Sequence, residues 1–232
     1  MSSPLVVITG AAGALGRTVA QAFAQAGHAL LLVDYDESAL HEAYARFDGE
    51  KHFAVADLTD AAATRATLLP ILEKAGPPEV LCNIAGGFAM GSEVHNADDA
   101  VWKRMLDMNV STLLNTCRVV VPSMLGAGKG RIINVAAAAA DSGKGGMGAY
   151  CASKSAVARI TESMAHELRT RGINVNAVAP SIIDTPANRA DMPDADPAIW
   201  VSPQQLADIM LFLASDRASA IHGAVIPVVG LS

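Results

Sequence analysis

The chain has 232 residues, 51% of them hydrophobic and 17% charged, with a formal net charge of -6. That composition can bury one substantial core without disulfides or metal ions, and its acidic balance offers no basic stripe for a nucleic-acid backbone. Three cysteines without CxxC spacing and six scattered histidines make neither a disulfide framework nor a metal site, and no apolar run nears the ~18 residues of a membrane span.

The N-terminal MSSPLVVITG has no basic segment leading into an apolar run and a cleavage site, so a secretory signal is not expected. With unpaired thiols, this points to a cytoplasmic, reducing location. Residues 5–9, a β-branched run, form the first predicted strand, and a helical pattern follows over 15–26. Strands are then predicted at 30–33, 52–56, 80–84, 131–135, 174–179 and 224–228. Helices are predicted between them at 37–47, 61–74, 97–125, 149–171 and 203–214. Alternation of this kind gives an α/β fold, a single doubly wound (Rossmann) domain with a seven-stranded parallel sheet and helices on both faces. Ser202, Pro203 and Gln205 carry a capping box and a proline start for the last helix, and Gly172 ends the one before it. Residues 185–200, with three prolines, read as irregular chain and are expected to form a short lid over a site.

TGAAGALG, Thr9 to Gly16, closes the first strand and opens the first helix. Gly10, Gly13 and Gly16, with Ala14 and Leu15, would let the phosphates of a dinucleotide reach free N–H groups at a positive helix end. A tight strand-to-helix connection would need the same glycines. Asp34 ends the second strand eighteen residues beyond Gly16, where a carboxylate accepts hydrogen bonds from the adenosine ribose and repels a 2'-phosphate. This favours NAD(H) over NADP(H). An Asp at a strand end can also cap the next helix, although Asp36 is better placed to do so.

Tyr150 and Lys154, four apart in YCASK, share one face at the start of a helix. A fixed ammonium favours the phenolate, and the pair could exchange a proton with a substrate while hydride moves to or from a nicotinamide. Alone, such a spacing also suits two residues on a solvated helix face.

TGAAGALG, DLTD, NIAGG, MLDMN, RIINV, YCASK and VAPSIIDTP occur in this order along nearly the whole chain, and in this the sequence resembles the short-chain dehydrogenase/reductase family. The resemblance implies that Asp57 and Leu58 contact the adenine, that Asn83, Ala85 and Gly86 line the ribose side, and that Asn109 joins a proton relay through a water. It implies too that Pro180, Ile183 and Thr185 anchor the nicotinamide carboxamide, and that the chain forms a homo-dimer or homo-tetramer through its long helices.

The family's catalytic serine lies thirteen residues before the tyrosine, and here that position is Ala137. An alanine cannot donate to a developing alkoxide. Ser142 could substitute from the glycine-rich stretch that comes next, or an exposed loop serine is all it is. A conjugated or imine-type substrate, protonated on nitrogen by Tyr150, would not need the serine; the segment around YCASK resembles quinonoid dihydropteridine reductases, which have alanine near this position. The third reading is an NAD(H)-binding module with little turnover. Met90, Met147, Ile182, Met192 and Trp200 fall in segments expected to surround the nicotinamide, which suggests a small, partly apolar substrate.

Overall fold

The computed structural model describes residues 3–232. Seven strands, β1 (Leu5–Thr9), β2 (Ala29–Asp34), β3 (Lys51–Val55), β4 (Val80–Asn83), β5 (Gly130–Val135), β6 (Ile173–Pro180) and β7 (Val225–Val228), alternate with helices α1 (Ala14–Gln25), α2 (Glu37–Ala43), α3 (Ala61–Ala75), α4 (Asp99–Leu106), α5 (Thr112–Ala127), α6 (Gly148–Leu168), α7 (Pro186–Asp191) and α8 (Pro203–Ala214). Every strand pair is parallel, in the order β3-β2-β1-β4-β5-β6-β7.

β1, β2, β4 and β6 are buried along their whole length because the sheet is covered on both sides. Alternate residues feed two cores. Val7, Leu31, Leu81 and Val175 pack with Leu68 of α3, Val120 of α5 and Val157 of α6. Val6, Ile8, Leu32 and Val178 pack with Val19 of α1 and Leu206 of α8. Burying each such side chain contributes roughly 1.5–3 kcal/mol. Asp36, Asp60 and Asp98 accept N–H bonds at the starts of α2, α3 and α4, and the Ser202–Gln205 capping box opens α8 as the sequence suggested.

Three stretches differ from the expectation. The helix predicted over 37–47 ends at Ala43, because Tyr44 leaves the helical path and buries its ring. The residues 185–200 are not irregular throughout: Pro186 starts the short helix α7, capped by the Thr185 hydroxyl, and a 3-10 turn lies beyond it at Pro197–Ile199. The long helix predicted over 97–125 is two helices joined by a π turn at Asp107–Ser111.

The strand order fixes where ligands can enter. From β1 the chain builds outward through β2 and β3, then β4 returns to the other side of β1 and the sheet grows the opposite way. The connections above β1 and β4 therefore diverge and leave a crevice at the carboxyl ends of those two strands.

Candidate active site

Gly10 leaves β1 at a φ of 65°, and a Cβ there would stand 3.0 Å from the Ala85 backbone across the crevice. Gly16 is tighter still, since its Cβ would lie 2.2 Å from the Gly10 carbonyl oxygen. These two glycines let α1 begin directly against the turn. Gly13 caps α1 without a side-chain hydrogen bond, and the first turn holds no acidic residue. Its N–H groups and the positive helix end are thus available to an external anion, which fits a dinucleotide pyrophosphate. Ala14 is exposed at the helix start, whereas the Leu15 side chain is buried in the core, so only its backbone faces the turn.

The peptide groups just before α1 are pinned from outside. The Ala11 carbonyl accepts from the Tyr44 hydroxyl at 2.8 Å, the Ala12 N–H donates to Asp34 Oδ2 at 2.9 Å, and the Ala12 carbonyl accepts from Arg17 Nε at 2.7 Å. Burial holds the Tyr44 phenol far above its ordinary range, so it remains a donor. Tyr44 and Arg17 carried no signal in the sequence, because neither lies in a motif and Tyr44 reaches the turn only through the fold. Tyr44→Phe removes one hydroxyl and leaves the ring packed on Phe47 and Phe53. With a buried carbonyl unpaired, NADH affinity is expected to fall about three- to tenfold in a fluorescence titration; an unchanged affinity would show that the turn does not need this pin.

Asp34 is buried at the end of β2, and it is Asp36 that caps α2, accepting the Ala39 N–H at 2.9 Å. Asp34 Oδ1 accepts the Tyr35 N–H at 2.8 Å. The carboxylate keeps acceptor capacity toward the crevice. Asp57 is exposed and accepts from the Thr59 N–H and hydroxyl, which hold its carboxyl below the usual range. Two other residues turn inward. The Leu58 side chain is buried in the core, and Asn83 donates from Nδ2 to Asn134 Oδ1 at 2.9 Å beneath the crevice, so each offers only backbone to a cofactor. Ala85 stays at the crevice, its N–H bonded to the Thr9 hydroxyl at 3.1 Å, a tie between β1 and β4 that sequence reading missed.

Gly86 marks the point where three elements converge. A Cβ there would lie 2.6 Å from Asn109 Oδ1 and 3.3 Å from Lys154 Nζ. The π turn aims Asn109 at this point: its Oδ1 accepts the Gly87 N–H and its Nδ2 donates to the Gly87 carbonyl, each at 3.0 Å. Nδ2 also donates to Ser153 Oγ at 3.0 Å, and that hydroxyl donates to the Tyr150 carbonyl at 2.8 Å. Ser153, inside YCASK but not singled out from the sequence, thereby joins the π turn to the first turn of α6. π turns recur at functional sites because the extra residue redirects one side chain.

Lys154 is buried and donates to the Val135 carbonyl at 2.8 Å. Burial acts on both members of the pair: it pulls Lys154 down to about 8, and with a smaller contribution from the Cys151 thiol it pushes Tyr150 up to about 12. In this structure burial sets the direction for Tyr150, and no contribution from Lys154 offsets it. The folded value of about 8 for Lys154 lies below its ordinary 10.5, so the unfolded chain binds more protons between these limits and stability rises with pH across them. Lys154→Met is therefore expected to be more stable than the parent at pH 7, by up to ~3 kcal/mol less the lost Val135 bond, and to lose that advantage toward pH 10. Urea unfolding at the two pH values checks this, and a gap that does not narrow contradicts it.

Ala137 is buried in extended backbone just after β5, and Ala138–Ala140 form a 3-10 turn held by the Ser155 hydroxyl on the Ala140 carbonyl at 2.7 Å. Ser142 is exposed beyond that turn. On the other side of the crevice, Pro180 ends β6, Ile183 bridges to Val201, and Asn188 Nδ2 donates to the Ile183 carbonyl at 2.7 Å. Thr185 accepts the Asn188 N–H at 3.2 Å, which leaves its hydroxyl proton available. Of the five apolar residues expected around the nicotinamide, Trp200 is buried, Met147, Ile182 and Met192 are half-buried, and Met90 is exposed.

An uncapped helix start on one side of a topological switch point, and Lys154 and Asn109 converging on Gly86 on the other, fit a Rossmann-fold oxidoreductase. A family model described as short chain dehydrogenase matches residues 4–196, and the chain belongs to that family. It is 34% identical to galactitol 2-dehydrogenase of Rhizobium johnstonii over 96% of this chain and 92% of the relative. It is 32% identical to meso-2,3-butanediol dehydrogenase of Serratia marcescens, over 97% and 93%. Among solved structures, levodione reductase superposes with a TM-score of 0.92 at 27% identity, covering 99% of this chain and 97% of the other. NAD+-bound xylitol dehydrogenase superposes at 0.91 and 25%, covering 99% and 98%.

Proposed function

We propose that the protein transfers hydride between NAD(H) and a small, partly apolar carbonyl, alcohol or conjugated imine-type substrate. The observation that carries this reading is the convergence of Lys154 and Asn109 on Gly86, with Asn109 tied through Ser153 to the main chain of Tyr150. When bound, the nicotinamide supplies or accepts the hydride. The chain's own residues do the rest. Tyr150 gives a proton to the substrate oxygen or nitrogen in reduction and takes it back in oxidation, while Lys154 holds the nicotinamide ribose and Asn109 orders the relay water. The N–H groups of α1, together with Ala85 and Gly86, seat the pyrophosphate and ribose. Pro180, Ile183 and Thr185 hold the carboxamide, and Asp57 with the Leu58 backbone meets the adenine. The segment 185–200 closes over the substrate.

Asp34 supports NAD(H) over NADP(H), because a buried carboxylate beside the adenosine ribose repels a 2'-phosphate. The names of the relatives, dehydrogenases of diols and sugar alcohols among them, favour a hydroxyl-bearing or carbonyl substrate. Three buried free thiols suit a reducing, cytoplasmic setting. Leu106, 42% exposed on α4, suits assembly into a homo-dimer or homo-tetramer. A second reading, an NAD(H)-binding module with little catalysis, is favoured by Ala137 alone. Titrating NADH and NADPH by fluorescence and then screening ketone, quinonoid and imine acceptors separates the two. Oxidation of bound NADH by any class supports the enzyme, and tight binding without oxidation supports the module.

A further inference from the structure

We propose that Phe88 selects substrates whose reacting group is conjugated to a flat ring, by offering that ring a rigid aromatic face beside Tyr150. The inference rests on Tyr150 being the proton-transfer group. Phe88 meets Tyr150 edge to face, with ring centroids 4.9 Å apart and planes at 77°, yet it is 55% exposed. Phe88 thus combines an edge contact on the reacting phenol with an open ring surface that a ligand can meet.

Its direction is fixed from both ends. The preceding peptide groups of Gly87 are held at N–H and carbonyl by the Asn109 amide, both at 3.0 Å. Three residues later the Gly91 N–H donates to the Gly146 carbonyl at 2.9 Å, tying this loop to the one that leads into α6. The backbone that carries the ring is therefore held, and the ring rests on Tyr150, which matters because an aromatic contact contributes most to affinity when little ordering is required. The buried methyl group of Ala137 adds no hydrogen-bond donor on the β5 side. A substrate next to Tyr150 thus meets carbon on the Phe88 flank, where discrimination falls to shape and π character.

Acetophenone and cyclohexyl methyl ketone have the same reacting group and nearly the same size, one flat and conjugated, the other puckered and saturated. Their binding to the protein–NAD+ complex, which cannot reduce a ketone, is measured by calorimetry and so is read independently of turnover. The flat ketone is expected to bind about three- to tenfold more tightly in the parent and in Phe88→Trp, and equally with its saturated counterpart in Phe88→Leu. A preference that survives Phe88→Leu, equal binding in the parent, or binding of neither ketone would overturn the assignment. Failure of the parent to oxidise NADH with any acceptor would instead count against the reading of Tyr150. For flat, conjugated acceptors that are turned over, Phe88→Leu should raise KM by more than it lowers kcat, whereas for saturated acceptors KM should change little.

Discussion

Tyr150→Phe is expected to lower turnover by about 10²–10⁴-fold while leaving NADH affinity within about threefold. The substitution removes one oxygen. Its ring would still meet Phe88 edge to face, the Ser153 bond to its carbonyl involves backbone only, and Lys154 keeps its contact with the Val135 carbonyl. Position and fold are thus retained, and only the group that carries the proton is lost. Single-turnover oxidation of bound NADH, beside a fluorescence titration of its affinity, measures both quantities. Turnover within tenfold of the parent would mean that the proton travels by another route.

Ala137→Ser is expected to act in the opposite direction. A donor aimed at a developing alkoxide contributes about 10²–10³ in kcat where it has been removed from other enzymes, and residue 137 sits directly after β5 at the crevice edge. Ketone reduction should therefore rise by at least about tenfold in the variant, whereas acceptors protonated on nitrogen should change little. Stability should fall by about 1–3 kcal/mol, because the position is 4% exposed and the new hydroxyl has no protein partner assured. Steady-state rates with one ketone and one cyclic imine test both expectations, and an absence of gain with the ketone would place the deficit elsewhere.

Much of the fold was legible because its signals are local. Apolar β-branched runs flanked by turn residues locate the seven strands, and Asp36, Ser202 and Gln205 mark helix starts through contacts three residues away. The glycine turn was legible for the same reason. The features that escaped the sequence are those that depend on distant partners. Tyr44 reads as one more apolar residue of a helix until the fold sets it against Ala11, thirty-three positions earlier. The π turn leaves no mark on the pattern over 97–125, since the extra residue changes which way Asn109 points but not which residues are apolar. The depth at which Tyr150 and Lys154 sit was not legible either, because four residues of separation say nothing about how far each group is buried. Phe88, after two glycines beyond a strand's carboxyl end, and Ser153, inside YCASK, are neglected residues whose positions did carry a hint.

The irregular waist between α4 and α5 has a consequence for anyone shortening or redesigning this chain. A helix chosen for regularity alone would delete one residue between 107 and 111, turning α4 by about 100° relative to α5. Met105 on one half and Leu113 on the other could not both stay in place. The amide that clamps Gly87 would swing away with them. At this spot an idealised backbone and a working site are incompatible goals.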